Sequence, residues 1–160
     1  MKLQRQSDKV LVEASIKKLI ETEFAGLKGS PNFKFDWSLE KHSDVYKIFL
    51  LSDVDEVLGL VSVLDDPEFK RIHIDLVKSS VANQGKNKQY DFIAGCQIAF
   101  AVSLTYEYGY NGFVSLDPKL KLVDLYKKKY GFEEFGYQMI SQGENSKLLV
   151  DKYLLSHEEE

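Results

Sequence analysis

Residues 71–106 decide the fold and read RIHIDLVKSSVANQGKNKQYDFIAGCQIAFAVSLTY. They begin with alternating side chains at 71–78, a pattern that predicts a β-strand. They end with an uncharged run at 92–106, which is shorter than the roughly 18 residues of a membrane-spanning helix and predicts a buried helix instead. The polar segment between them carries Lys86 and Lys88. We therefore expect a strand, a loop and a helix in direct succession.

The sequence just before this stretch predicts further strands. Residues 45–51 and 57–64 are apolar and β-rich, and short polar or proline-containing turns follow them. Short turns favour antiparallel pairing, so we expect a meander that ends with the strand over 71–78. Alternation along that last strand predicts two faces, with Ile72, Ile74 and Leu76 in the core and His73, Asp75 and Val77 on a more polar face that lines a cleft.

The amino-terminal part predicts one helix and one short strand. Five apolar residues recur at helical spacings before Gly26: Val12, Ile16, Leu19, Ile20 and Phe24. After a loop at 29–32, alternation predicts a strand through Phe33, Phe35 and Trp37.

Beyond 106 the sequence predicts a strand, a helix and two closing strands. The strand covers 112–116, and the helix has Asp117 as its N-cap, Pro118 as its first residue and Gly131 at its end. The closing strands are predicted over 132–140 and 147–153, joined by a turn. One sheet with helices beside it is an α+β layout.

Length and composition indicate a single domain. The chain has 160 residues and is 44% hydrophobic, enough for one core, which we place at 1–155 with an acidic tail at 156–160. The formal net charge of -4 argues against nucleic acid as a partner and suits a cationic substrate better. The polar first ten residues lack the apolar segment of a secretory signal, and Cys96 is the only cysteine, so we expect a cytoplasmic protein without disulfides and without a membrane partner.

Two motifs carry a resemblance to a known superfamily. Residues 89–95 (QYDFIAG) are in register with the pattern Gln/Arg-x-x-Gly-x-Gly/Ala, and 125–132 (LYKKKYGF) are similar to Leu-Tyr-x-Lys-x-Gly-Phe. Together with the order of elements over 45–140, they resemble the GNAT N-acetyltransferases. The stretches NKQY at 87–90 and IAFA at 98–101 also resemble a bacterial branch of that superfamily. Two positions depart from the pattern: Phe92 replaces its first glycine, and Lys119 its asparagine.

The resemblance implies a fold and a co-substrate. The fold is the GNAT-like acyl-CoA N-acyltransferase fold, a mostly antiparallel mixed sheet flanked by helices, and the co-substrate is acetyl-CoA. Backbone N–H groups at a helix N-terminus would bind its pyrophosphate. The residues that the resemblance assigns to acetyl-CoA are Val77, Ser79, Lys88, Gln89, Tyr90, Asp91, Phe92, Ile93, Ala94 and Gly95.

The resemblance also implies direct attack of an amine on the thioester in a ternary complex. Tyr126 matches the tyrosine that protonates the leaving thiolate; the alternatives are that Tyr126 only packs against the sheet or that Tyr130 takes the role. The backbone N–H near Val77 would stabilise the oxyanion. Asp75 is the candidate base, with His73 beside it, although the two can equally be a structural pair.

No other chemistry is indicated. Cys96 lies within the apolar run and is expected to be a buried, inert thiol. The histidines at 42, 73 and 157 lack the spacing of metal ligands, so no metal is expected.

Two function hypotheses remain. One is an N-acetyltransferase with a primary amine acceptor, on a small molecule or a protein. The other is a GNAT-like domain without activity that serves as a binding or interaction module, as Phe92 and Lys119 suggest. Either could be a monomer or a homodimer.

Overall fold

The computed structural model describes residues 1–27, 30–33 and 43–155. Its strands are β1 (Lys2–Arg5), β2 (Leu11–Lys18), β3 (Asp44–Leu50), β4 (Gly59–Asp66), β5 (Arg71–Ser79), β6 (Tyr90–Asp91), β7 (Val114–Leu116), β8 (Glu133–Phe135) and β9 (Gln138–Ser141). Its α-helices are α1 (Glu21–Leu27), α2 (Ile93–Glu107), α3 (Val123–Tyr130) and α4 (Gly143–Val150), and α4 continues into a π-helical turn, Asp151–Leu155.

The strands of the described chain form one mixed sheet in the order β6-β1-β2-β3-β4-β5-β7-β9-β8. Neighbouring strands are antiparallel except β5 and β7, which run parallel and are joined by α2 as the crossover. The α+β class and the mostly antiparallel mixed sheet predicted from the sequence are confirmed. No helix in the described ranges has the length and apolarity needed to cross a membrane.

Helix α2 is buried on both sides, as its uncharged sequence predicts. One side packs on β4 and β5, and the other is covered by α4 and the turn after it. Cys96, Ala99 and Val102 have no exposed surface. A helix with apolar residues all round belongs in such an enclosed position.

The meander of β3, β4 and β5 is confirmed, but the predicted faces of β5 are wrong after Ile74. The β4–β5 register passes from Ser62 opposite Leu76 to Val63 opposite Ile74, so Asp75 has no opposite residue and forms a β-bulge. The bulge reverses the alternation. Val77 therefore packs against the main core beside α2, whereas Leu76 joins the second core beside α1.

The predicted helix over the segment that ends at Phe24 is wrong, because this segment contains β2 and then the short α1. Val12 and Ile16 are four residues apart, a spacing that satisfies the period of a strand as well as that of a helix. This segment forms a strand because it pairs with β1 on one side and with β3 on the other. The predicted strand through Phe33, Phe35 and Trp37 lies outside the described residues from position 34 onward, and so does the tail 156–160.

Two predictions near the carboxyl terminus are also wrong. Lys119 is extended, with ψ 140°, so no helix begins at Pro118, and α3 starts at Val123 after a 3-10 turn. The strand predicted over 147–153 is helical, because its buried residues, Leu149 and Tyr153, are four apart. Gly131 does end α3, in the left-handed conformation.

Candidate functional site

A cavity of about 270 Å³ lies where the loop after β5 meets the N-terminus of α2. It brings together all the residues assigned to acetyl-CoA from the sequence except Val77 and Gln89. The lining residues are Ser79, Asn83, Gly85, Lys88, Tyr90, Asp91, Phe92, Ile93, Ala94, Gly95, Leu125, Lys129, Tyr130 and Tyr153. A concave site at the carboxyl end of a parallel strand pair is a usual place for a ligand in such sheets.

Sequence reasoning missed the side of this cavity that comes from the carboxyl-terminal third of the chain. Leu125 and Lys129 are four residues apart on α3 and therefore share one helix face, a signal that the sequence does contain. Tyr153 gave no such signal, because its segment was predicted as a strand.

The loop enters α2 through a residue with positive φ. Phe92 precedes the helix with φ 78° and ψ 5°, in the left-handed region where glycine is preferred. For a phenylalanine this conformation costs roughly 1–2 kcal/mol. Its N–H donates to Asp91 Oδ1 at 2.8 Å, and its carbonyl accepts from the N–H of Cys96 at 2.9 Å.

Gly95 leaves room for the ring of Tyr153. A Cβ at this position would lie 2.2 Å from Cε1 of Tyr153. The Tyr153 ring also contacts the rings of Phe92 and Tyr130, with centroids 6.3 and 6.2 Å away. Three aromatic rings and a glycine therefore form the base of the cavity.

The cavity contains charges of both signs. Lys88 Nζ lies 3.0 Å from Asp91 Oδ1, and Lys129 adds a second positive charge to the lining. Burial alone would raise the pKa of Asp91, but the hydrogen bonds from Lys88 and from Phe92 N–H outweigh it, and the pKa is lowered. Asp91 is therefore ionised at neutral pH and forms an ion pair with Lys88, one of the two lysines of the cavity.

A gap opens between β5 and β7 beyond the cavity. β5 and β7 pair only from Ile72 opposite Val114 to Ile74 opposite Leu116, and β5 then continues to Ser79 paired with β4 on its other side. Ser80 N–H donates to the Leu58 carbonyl at 2.8 Å. Because hydrogen-bonded and non-hydrogen-bonded pairs alternate in an antiparallel ladder, the N–H of Val77 points away from β4 and toward this gap.

Tyr126 lies on α3 with its ring packed against Tyr130 and Phe132, at centroid distances of 6.1 and 5.7 Å. Burial raises its pKa. Within the described chain its hydroxyl has no hydrogen-bond partner. Tyr130, the other candidate, lines the cavity directly and is nearly completely buried.

The structure does not pair His73 with Asp75. Asp75 is exposed at the bulge and has no hydrogen bond or ion pair with any described residue. His73 Nδ1 lies 2.8 Å from Ser115 Oγ, and Nε2 lies 3.2 Å from Asp117 Oδ2.

Cys96 is fully buried as expected, with Sγ 3.6 Å from the Tyr153 carbonyl. Burial raises the pKa of its thiol to about 12, so it stays protonated at neutral pH.

No protein-family model matches the sequence, and no curated protein matches it. Solved structures do match. A spermidine N-acetyltransferase from Vibrio cholerae, in complex with CoA and spermine, has a TM-score of 0.56 at 15% identity and covers 80% of this chain and 92% of its own. The Bacillus subtilis N-acetyltransferase YlbP, in complex with coenzyme A, has a TM-score of 0.56 at 10% identity, with 82% and 97% covered.

An acetyltransferase of the GNAT family from Staphylococcus aureus Mu50 has a TM-score of 0.52 at 10% identity and covers 77% of this chain and 85% of its own. At such identities the likeness shows the fold. The chain therefore has the fold of the GNAT acetyltransferases, with α4 and the turn after it packed against α2.

Proposed function

We propose that the protein is an acyl-CoA-dependent N-acyltransferase that transfers an acetyl group from acetyl-CoA to a primary amine. The observation that carries the proposal is the cavity at the N-terminus of α2, which brings motif residues 90–95 together with Lys88 and Lys129. The similar structures from Vibrio cholerae and Bacillus subtilis contain coenzyme A, which supports the same co-substrate here.

The cavity supplies what a diphosphate needs. The first turn of α2 presents the N–H groups of Ile93, Ala94 and Gly95, which have no backbone partner among the described residues, and the positive end of the helix dipole attracts an anion. Lys88 and Lys129 add side-chain charge. Ser79 lies where β5 ends, so a chain leaving the diphosphate along β5 reaches the gap beside β7.

The proposed chemistry is direct transfer in a ternary complex. The amine nitrogen forms a bond to the thioester carbon, the Val77 N–H donates to the developing oxyanion, and the carbon–sulfur bond breaks. Tyr126 gives its proton to the departing thiolate. Burial raises the pKa of Tyr126, so the hydroxyl is protonated at neutral pH, as a proton donor must be.

Titration calorimetry with acetyl-CoA tests the binding step. We expect saturable binding to the unmodified protein and at least about tenfold weaker binding for Lys129→Ala, since each lost phosphate contact removes on the order of 1–2 kcal/mol. Lys121→Ala, an exposed lysine outside the cavity lining, is the matched control. No heat and no thermal shift at millimolar acetyl-CoA would rule the proposal out.

The chemical step is tested with Tyr126→Phe. We expect kcat to fall by roughly 10²-fold, with the Kd of acetyl-CoA retained, because only the proton donor is removed. Tyr130→Phe is measured beside it. If Tyr130→Phe lowers kcat and Tyr126→Phe does not, the acid role belongs to Tyr130.

The acceptor is proposed to be a cationic amine, on a small molecule or a protein. The acidic balance of the chain favours a positively charged partner, and the similar Vibrio cholerae enzyme was solved with spermine. Measuring the release of free thiol from acetyl-CoA with a panel of polyamines, aminoglycosides and lysine peptides identifies the chemical class of the acceptor.

A GNAT-like binding module without activity is the second candidate. It is favoured by one observation: Asp91 places a carboxylate in the cavity and engages Lys88, which weakens the site for a diphosphate. Saturable acetyl-CoA binding without thiol release from any amine of the panel would decide for the module.

A further inference from the structure

Three polar side chains form a row on the sheet face opposite α2. His73 on β5 and Ser115 on β7 are register partners, and Asp117 follows directly after β7 on the same face. The imidazole bridges the other two, with Nδ1 at 2.8 Å from Ser115 Oγ and Nε2 at 3.2 Å from Asp117 Oδ2. The sequence alone does not predict the contact between His73 and Ser115, because the two residues are 42 positions apart.

Exposure rises along the row. Ser115 has no exposed surface, the His73 side chain is 12% exposed, and the Asp117 side chain is 67% exposed. One tautomer satisfies both contacts of the imidazole: the Ser115 hydroxyl donates to Nδ1, and Nε2–H donates to the Asp117 carboxyl oxygen. A buried hydroxyl thus fixes the ring, and the ring fixes a carboxylate that faces solvent.

The row ends at the mouth of the gap between β5 and β7. Their pairing stops at Ile74 and Leu116, so Asp117 is the first β7-side residue beside the open part of β5. The Val77 N–H points into this same gap. The oxyanion donor of the proposed reaction and the held carboxylate therefore border one opening, whereas Ser115 is too deeply buried to act as a nucleophile.

We propose that Asp117 accepts the proton that the attacking nitrogen loses, and that His73 and Ser115 are positioning residues for this carboxylate. The inference rests on the proposed function and deepens it. Once the nitrogen is bonded to the carbonyl carbon it is cationic and acidic, so a carboxylate is a sufficient base. The carbon–sulfur bond then breaks, Tyr126 protonates the thiolate, and solvent restores both groups.

The charges around His73 come from three strands. Asp117 contacts the ring from the β7 side, and Asp66 at the end of β4 adds a second carboxylate, whose pKa is lowered first by the hydrogen bond from Arg71. Arg71, on the same face of β5, is neutralised by Asp66 at 2.9 Å. Asp75 lies two residues further along β5 and is the rival base.

The test compares three Asp→Asn variants in the thiol-release assay. We expect Asp117→Asn to lower kcat by roughly 10²-fold, with acetyl-CoA binding unchanged. Asp124→Asn, an exposed aspartate at the start of α3, controls for lost charge and is expected to retain the activity. Loss of kcat in Asp75→Asn but not in Asp117→Asn would overturn the inference.

His73 variants separate positioning from mere packing. His73→Gln keeps an N–H donor near the place of Nε2, so we expect it to retain several-fold more kcat than His73→Ala, with the same acetyl-CoA Kd. Equal kcat for both variants, at equal thermal stability, contradicts a positioning role.

Asp117 is exposed, so its variant is expected to fold and carries the test if a His73 variant does not. The two proposals fail differently. An unmodified protein that neither binds acetyl-CoA nor releases thiol refutes the proposed function and the inference with it. An active protein whose Asp117→Asn variant is equally active refutes the inference alone.

Discussion

Asp91 carries a negative charge into the cavity where an acyl-CoA diphosphate would lie. Its carboxylate is held from two sides, by Lys88 Nζ at 3.0 Å and by Phe92 N–H at 2.8 Å. A bound diphosphate would have to approach this charge and compete with it for Lys88. The residue therefore sets an upper limit on the affinity of the site for anions.

Replacing Asp91 by Asn tests this limit. Asparagine keeps an oxygen for the Phe92 N–H but removes the charge and frees Lys88, so we expect acetyl-CoA to bind about tenfold more tightly, equivalent to ~1.4 kcal/mol. Titration calorimetry at low and high salt measures it, and the gain is expected to shrink with salt. Asp124→Asn is the control, and an unchanged Kd for Asp91→Asn contradicts the prediction.

At the scale of elements, the contact between α2 and the carboxyl-terminal segment depends on one glycine. Tyr153 packs so close to Gly95 that its Cε1 and Cζ would lie 2.2 and 2.4 Å from an added Cβ. The ring is itself enclosed by Phe92 and Tyr130 and has little room to move. The contact between Gly95 and Tyr153 thus belongs both to the base of the cavity and to the packing of the carboxyl-terminal segment on α2.

Gly95→Ala should destabilise the fold although alanine is the better helix former. Overpacking against the enclosed ring is expected to lower the free energy of unfolding by roughly 1–3 kcal/mol, measured by urea unfolding. Gly26→Ala in α1 is the matched control, since no atom of the described residues lies within 4 Å of its added Cβ. The cost of Gly95→Ala should fall in a Tyr153→Ala background, and an additive double variant would count against this contact.

Replacing Gln97, on the same helix as Gly95, is expected to stabilise the fold. It is fully buried, and among the described residues neither its Nε2 nor its Oε1 has a hydrogen-bond partner. Because an unsatisfied buried amide costs about 1–3 kcal/mol, we expect Gln97→Met, of similar shape, to raise the free energy of unfolding. A lower urea midpoint would show that the amide has a partner, such as a buried water.

The sequence correctly predicted the elements whose hydrophobic pattern fits only one kind of secondary structure. The meander and α2 are of this kind, because alternation and a long uncharged run each fit a single structure. Val12 and Ile16 fit two periods, and only pairing with β1 and β3 selects the strand. The motif at 89–95 likewise located the cavity, whereas Tyr153 and the contact from His73 to Asp117 depend on chain segments that meet only in the folded protein.

At the scale of the whole molecule, the loop before α2 is part of the sheet. β6 pairs with β1, with Arg5 opposite Tyr90, and Gln6 N–H donates to the Gln89 carbonyl at 2.8 Å. The loop that lines the cavity is therefore fastened to the amino-terminal hairpin, at the opposite edge of the sheet from β8. Such a short two-residue strand has few bonds to hold it and should open locally at a low free-energy cost.

Acetyl-CoA should therefore slow hydrogen exchange at both partners of this pairing. A ligand on the first turn of α2 stabilises the closed loop, and the closed loop keeps the Gln6 amide bonded to Gln89, although the amino-terminal hairpin does not line the cavity. We expect at least about tenfold slower exchange of the Gln6 amide at saturating acetyl-CoA. The amides of β8, at the far edge, serve as the internal control and should change little. Equal protection at both edges would mean that the ligand stabilises the protein only globally, and no change at Gln6 would mean that the loop and the hairpin are not coupled.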